Sequence, residues 1–330
     1  MRYLSLIGFL LCCQSLNDAI GLTKEIMVVT ESEEVFNSLE RAIQMVYHLP
    51  RREKKYHIIQ IGPDRFKDIL KFHLIIIAEP LNRGEIGRII ETLLAPDAEE
   101  IIKRDSFGIF ITKDQWAKSQ EVVVITGLDD SSLLSGIRRA SFRIRALINE
   151  HYFNRIGRAT FFGGEDEDLE RYLFENYSIR IRIPKGYRLE ERYRKDNFIY
   201  LHRHAPDRIV FIAKILRKDS ITIDWILNQR DILTLLYYDG DYTYRDLCFG
   251  GRTEINDREV FKVYGVWQNE SLAIGGPFVS ILYPGPDWCY LIDGMVYAPG
   301  ENKLPYLNSL EFIVSSFQRL DTVKPSTIID

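Results

Sequence analysis

His202 and His204 stand two apart in the run "NFIYLHRH". In a strand their imidazoles share one face and could hold a metal ion together, but a site needs further ligands. Asp207 falls in the turn that follows, and the other histidines are distant in sequence, so the pair is read as exposed strand-end histidines and no metal set is assigned. In "GGEDEDLE", residues 163–170, the run "EDED" gathers four carboxylates at the start of a helical pattern. It lacks the glycine and terminal glutamate spacing of a calcium loop, and acids there suit the positive end of a helix. Glu254 and Asp293 could form an acid pair, although their separation does not follow from the sequence. No G-x-S-x-G marks a nucleophilic serine. Cys248 and Cys289 have no readable histidine partner and no metal or redox spacing, which leaves them as buried thiols or one disulfide.

The densest cluster is "VWQNESLAIGGPFVSILYPGPDWCYLIDGMVYAPGENKLPYLNSLEFIVSSF", residues 266–317. Gly275 and Gly276 before Pro277 suit a turn or a close backbone approach. A phosphate loop would feed a helix, whereas "FVSILY" reads as a strand, so a nucleotide site is set aside. Trp267, Gly275, Gly276, Pro277 and Tyr297 are kept as a candidate binding edge within a stretch that is chiefly architectural.

These residues need elements to hold them. "EIMVVT", "YHIIQIG", "HLIIIAE" and "EVVVIT" are short apolar runs. They alternate with "TESEEVFNSLERAIQMVY", "RGEIGRIIETLL" and the longest helical stretch, "DDSSLLSGIRRASFRIRALINEHYF", which indicates an α/β layer domain over residues 23–155. Thr30 with Glu33 reads as a capping box. Arg138, Arg139, Arg143 and Arg145 read as the solvated face of the long helix. An aperiodic linker, "RIGRATFFGGEDED", leads to residues 165–330. There "YSIRIRIPKGY", "RIVFIAKIL", "REVFKVYGVW", "PFVSILYPG" and "WCYLIDGMVYAP" predict an antiparallel sheet packed with helices, among them "TIDWILNQRDILTLLY" and "KLPYLNSLEFIVSSFQ". The fold class is therefore α/β (α+β), and the second domain is similar in outline to the PsbP/Mog1-like sandwich.

The 330 residues carry 43 basic against 47 acidic groups, a formal charge of −4, so no overall field favours nucleic acid. Residues 1–22 read as a signal peptide: an apolar run from Tyr3 to Leu11 is too short to span a bilayer but fits an export signal. "LLCC" resembles a lipobox, which makes Cys13 the expected lipid attachment site.

Trp267, the run Gly275–Ser280, Asp293-Gly294, Val296–Pro299, Lys303, Tyr306-Leu307 and Leu310-Glu311 together resemble the bacterial lipoproteins that share the domain of unknown function DUF4837. "KDQWAKSQEVVVI" and "IPKGYRLEERYRKDNFIYLHR" extend the resemblance to both halves. It implies a lipid-anchored envelope protein of the Bacteroidota or their relatives, and it implies no activity. The expectation is a non-catalytic binding or assembly module, held to the membrane by its N-terminal lipid, with an envelope protein as partner and no cofactor. An envelope hydrolase acting on glycan or peptide is the alternative.

Overall fold

The computed structural model describes residues 16–48, 51–81, 83–190, 198–238 and 240–319. The leader run with Cys12 and Cys13 lies outside them. Two compact units divide the chain, residues 1–46 with 54–155 and residues 47–53 with 156–330.

The first elements along the chain are β1 (Glu25–Val29), α1 (Glu33–Ile43), β2 (Val46–His48), β3 (Arg52–Lys54), β4 (His57–Ile61) and β5 (Leu74–Ala78). They are followed by α2 (Gly84–Leu93), α3 (Pro96–Asp105), β6 (Phe107–Lys113), β7 (Glu121–Gly127), α4 (Asp130–Arg139) and α5 (Ser141–Thr160). The first unit is built on a five-stranded sheet in the order β4-β1-β5-β7-β6. Its first four strands run parallel and β6 is antiparallel at the edge. All of "LIIIA" in β5 is buried, as expected of a parallel strand covered on both faces.

Four local readings are corrected. Ser32, not Thr30, caps α1, accepting from the Val35 N–H; the Thr30 hydroxyl donates instead to the buried Glu79 carboxylate. The helix stops at Ile43, and Val46 and Tyr47 belong to β2. The long helical stretch is two helices that break at Ala140, leaving Phe142 83% exposed while Leu133, Ile137, Ile144 and Ile148 stay buried. The stretch expected as an aperiodic linker is helical as far as Thr160.

In the second unit the order is α6 (Glu167–Tyr177), β8 (Ile179–Arg180), β9 (Arg188–Leu189), β10 (Phe198–Arg203), β11 (Asp207–Leu216) and α7 (Ile223–Tyr237). Then come β12 (Tyr242–Ile255), β13 (Arg258–Asn269), β14 (Ile274–Pro284), β15 (Trp288–Tyr297), α8 (Leu304–Ser315) and β16 (Gln318–Arg319). Seven strands form one antiparallel sheet in the order β12-β13-β14-β15-β11-β10-β9. Strand alternation sends Phe211, Phe278, Leu291 and Met295 to one face, where Ile226 and Leu227 of α7 cover them. The opposite face receives α8, whose Leu310 and Val314 lie against Gly294 so closely that a Cβ there would stand 2.9 Å from the Leu310 Cβ. Glycine at this register position is what lets the helix approach.

Helix α8 buries Leu304, Leu307, Leu310, Ile313 and Val314, with Phe317 just beyond it, while Tyr306 is half-buried. Each large side chain removed from this face loses its transfer free energy and leaves a cavity. Leu310→Ala and Phe317→Ala should each lower stability by about 2–5 kcal/mol in chemical denaturation. Unchanged midpoints in both variants would contradict the packing described.

Candidate functional site

The Gly-Gly-Pro cluster is interior architecture. Trp267 is 2% exposed and its indole Nε1 donates to Val296 O at 3.3 Å. A Cβ on Gly276 would meet Val296 O at 1.9 Å, and one on Gly275 would meet Trp267 O at 2.7 Å. Pro277 is buried and Tyr297 half-buried. The candidate binding edge is therefore corrected: β13, β14 and β15 are flanked by strands on both sides, and close strand approach is what the glycines serve.

Asp293 is no partner of Glu254, which is exposed near the end of β12. Asp293 is fully buried on β15 and paired with the equally buried Arg230 of α7, with Nε–Oδ2 at 2.9 Å. The Ser280 hydroxyl donates to the same carboxylate, Thr243 Oγ1 accepts from Arg230, and the guanidinium lies 3.9 Å from the Phe278 ring centroid. Burial pushes the Asp293 carboxyl up, against the pull of Arg230 and Ser280. Cys248 and Cys289 are both free thiols, raised above the ordinary range by burial. Asp166 caps α6 through the Leu169 N–H and Glu165 pairs with Arg182, so the acidic run serves a helix start. His202 and His204 have ring centroids 4.9 Å apart, and His204 Nδ1 lies 2.7 Å from Asp207 Oδ1. Among the described residues no group of three or more histidine, cysteine or carboxylate side chains is placed to hold a metal.

The second unit has a basic pocket that the sequence reading missed. It encloses about 320 Å³ and is lined by the end of α5, the Gly163-Gly164 turn, Lys185, Tyr187, Arg203, Arg208 and the first turns of α8. Arg203 closes β10, Arg208 is the second residue of β11, and the two are register partners on opposite sides of one hairpin. Among the described residues neither is ion-paired to a carboxylate. Burial draws the Arg208 pKa down, Tyr187 opposes that, and Arg203 adds to it as a like charge. Burial also holds the Tyr187 hydroxyl up at about 12. Gly164, at φ +92°, accepts from the Lys185 N–H at 3.0 Å and leaves room for the lysine's ammonium. Thr160 lines the pocket too, its hydroxyl buried without a hydrogen-bond partner among the described residues. The N-terminus of α8 is already occupied, since Glu53 accepts from the Lys303 and Leu304 N–H groups. Beside the pocket, Arg188, His202, His204 and Gly186 line a second hollow of about 270 Å³ that shares Arg203. The signal available in sequence was the spacing of Arg203 and Arg208 about a short turn.

The first unit holds a buried polar chain. His73 Nε2 lies 2.7 Å from the Leu22 carbonyl oxygen, which requires that nitrogen to carry the proton. A neutral His73 then accepts through Nδ1, 3.2 Å away, from His151 Nε2, and His151 Nδ1 is 3.6 Å from Glu121 Oε2. Burial, then Arg155, hold the His73 pKa down at about 3.

A parallel α/β unit followed by a helix-covered antiparallel unit with a basic pocket defines the class. Within it, residues 166–316 match the model of the domain of unknown function DUF4837. Residues 19–161 match a different model, the domain of unknown function DUF8532. The first match spans Trp267 through Glu311, where the resemblance to that domain is read, while "KDQWAKSQEVVVI" lies in the segment matched by the second model. No curated protein matches the chain. Among solved structures, a protein of Bacteroides thetaiotaomicron VPI-5482 is similar over 44% of this chain at 9% identity and TM-score 0.27, and the match spans only 46% of that protein. Cyanobacterial PsbP from Synechocystis sp. PCC 6803 is similar over 44% of this chain and 88% of its own, at 6% identity and TM-score 0.31. LpqN of Mycobacterium tuberculosis, described as involved in cell envelope biogenesis, is similar over 42% of this chain and 81% of its own, at 13% identity and TM-score 0.27. Scores this low carry no inference of function. No helix among the described residues is long and apolar enough to cross a membrane.

Two outcomes test these arrangements. Asp293→Ala, which strands a buried guanidinium, should cost about 3–5 kcal/mol, and replacing both partners by Met and Leu should restore much of it; a neutral single variant would deny the pair its place in the core. For His73 the folded pKa, about 3, lies below the ordinary 6.5, so the unfolded chain takes up the proton first. The stability due to the neutral ring is present above pH 6.5 and is lost as pH falls toward 3, with a slope of up to about 1.4 kcal/mol per pH unit. Urea midpoints measured across that window should fall more steeply for the native chain than for His73→Gln, and parallel profiles would contradict the assignment.

Proposed function

We propose that this is an exported, lipid-anchored protein of the cell envelope that acts as a non-catalytic binding module, with the basic pocket of its second unit as the place of binding. The observation that carries the reading is the composition of that pocket. Among the described residues its lining side chains are cations, aromatic rings, hydroxyls and aliphatic groups, and the one carboxylate bonded to a lining hydroxyl, Glu301, stands outside the lining and accepts from Tyr306. Such a wall binds and orients an anionic group without a means of breaking it. The export and anchoring rest on the leader "MRYLSLIGFLLCC", whose short apolar run ends at the lipobox-like cysteines. Lipidation of Cys13 would hold the chain at a membrane surface, where a second contact made by the pocket gains from the high local concentration of envelope components.

Phe162, 94% exposed and lining the pocket, is a nearly isosteric position for a benzoylphenylalanine crosslinker. Irradiation of cells carrying it should give a discrete adduct that Lys185→Glu removes, and Cys13→Ala should move the protein from the membrane to the soluble fraction. Absence of any adduct that depends on Lys185 would end the binding reading. Membrane association unchanged by Cys13→Ala would end the anchoring one.

A further inference from the structure

We propose that the basic pocket is a phosphate-monoester site, in which the forks of Arg203 and Arg208 hold a dianionic phosphoryl group and Lys185 closes over it. The inference rests on the binding reading above and assigns the chemistry of its ligand. It begins from an arrangement that the protein alone does not explain. Arg203 and Arg208 are directly opposed across an antiparallel hairpin, a placement in which like charges destabilise the pair of strands. An ordinary surface arginine pair relieves this by turning to solvent or by recruiting a carboxylate. Arg208 does neither among the described residues: its guanidinium is half-buried, donates through Nε to the Pro206 carbonyl oxygen at 3.3 Å, lies 5.4 Å from the Tyr306 ring centroid, and keeps its two terminal nitrogens for a ligand. The carboxylate that acts on it electrostatically is Glu301, and that group accepts from the Tyr306 hydroxyl at 2.5 Å.

The remaining contributions have the same sign. Lys185 is fixed at its backbone by the Gly164 carbonyl, and its side chain runs over Gly164, where a Cβ would lie 3.5 Å from Nζ. The Arg203 guanidinium passes over Gly186, at φ +95°, with Nε 3.4 Å from where a Cβ would stand. Both glycines hold turns at positive φ, a conformation that favours glycine, and a Cβ at either would stand in ordinary contact with the cationic side chain that runs over it.

Charge and size narrow the ligand. Three cations, with one rim carboxylate already bonded, call for about two negative charges, which a phosphate monoester carries near neutral pH and a carboxylate does not. Paired guanidinium forks match the tetrahedral oxygens of a phosphoryl group through parallel N–H donors. The volume of about 320 Å³ admits that group with a short organic substituent, at the low end of the range of small-molecule pockets. A soluble sugar or glycerol phosphate and the monoester headgroup of a lipid present the same chemistry.

Isothermal titration of the folded chain with glycerol phosphate, inorganic phosphate and acetate, at low ionic strength, tests the assignment. Glycerol phosphate and inorganic phosphate should bind, and acetate should be at least about tenfold weaker. Arg203→Gln, Arg208→Gln and Lys185→Gln should each weaken phosphate by about tenfold or more. In the absence of phosphate Arg208→Gln should leave the melting temperature equal or higher, because the opposed charge is gone. Sedimentation with phosphatidylcholine vesicles, with and without phosphatidic acid, separates the sources. Retention on phosphatidic acid with no binding of glycerol phosphate assigns the site to a lipid headgroup, and the reverse assigns it to a soluble ester. Equal affinity for acetate and phosphate, or phosphate binding indifferent to all three substitutions, overturns the proposal, as does failure of both phosphate probes and phosphatidic acid to bind. A Lys185-dependent crosslink at Phe162 that persists in that last case would keep the binding site and reject only its phosphate chemistry.

Discussion

The second unit is organised around one buried charge. Arg230 enters the interior from α7, and taking a guanidinium out of water costs several kcal/mol unless it is paired and hydrogen-bonded. Asp293 from β15 supplies the countercharge, Ser280 from β14 and Thr243 from β12 complete the hydrogen bonding, and Phe278 offers its ring face. Four elements must therefore be in register before the charge is satisfied. A purely apolar contact between α7 and the sheet would tolerate sliding; this network fixes both the rotation of the helix and the phase of three strands.

Arginine plays the opposite part at the other end of the same sheet. Arg203 and Arg208 face one another across a hairpin without a countercharge among the described residues. The chain can satisfy a guanidinium completely, as Arg230 shows, so the pair at the hairpin is a local violation of the rule it obeys in the core. Such violations concentrate where a site awaits a ligand.

The first unit is closed by comparable means. In an open parallel sheet the crevice beyond the carboxyl ends of the strands, where strand order reverses, is the usual place for a ligand. Here that reversal lies beside β1, whose neighbours are β4 and β5. Glu79, 1% exposed just beyond β5, accepts there from the Thr30 hydroxyl and the Glu31 N–H, donors that an incoming anion would otherwise use. Burial pushes its carboxyl up, and the two donors hold it back. An internal carboxylate thus occupies part of the crevice.

Periodicity in the sequence determined the kinds of elements and their faces. The burial of Ile179, Ile181 and Ile183, the apolar central strands, and the α8 stripe all follow from local patterning, because strand and helix periods bring those side chains to one face wherever they pack. Local patterning also misplaced the α1 cap, since Thr30 had a competing acceptor 49 residues away, and it could not see the break at Ala140. Trp267, Gly275, Gly276 and Pro277 looked like an edge because turn-forming residues are ambiguous until strand order is known; only the order β13-β14-β15 makes them interior. The basic pocket needed still more of the fold. Arg203 and Arg208 are near in sequence, but Lys185 reaches them through β9 and the Gly164 turn, and the α8 wall comes from about a hundred residues further on. The tertiary structure alone decided that these like charges would share one cavity, because charge proximity is a matter of distance in space, which neither composition nor spacing along the chain records.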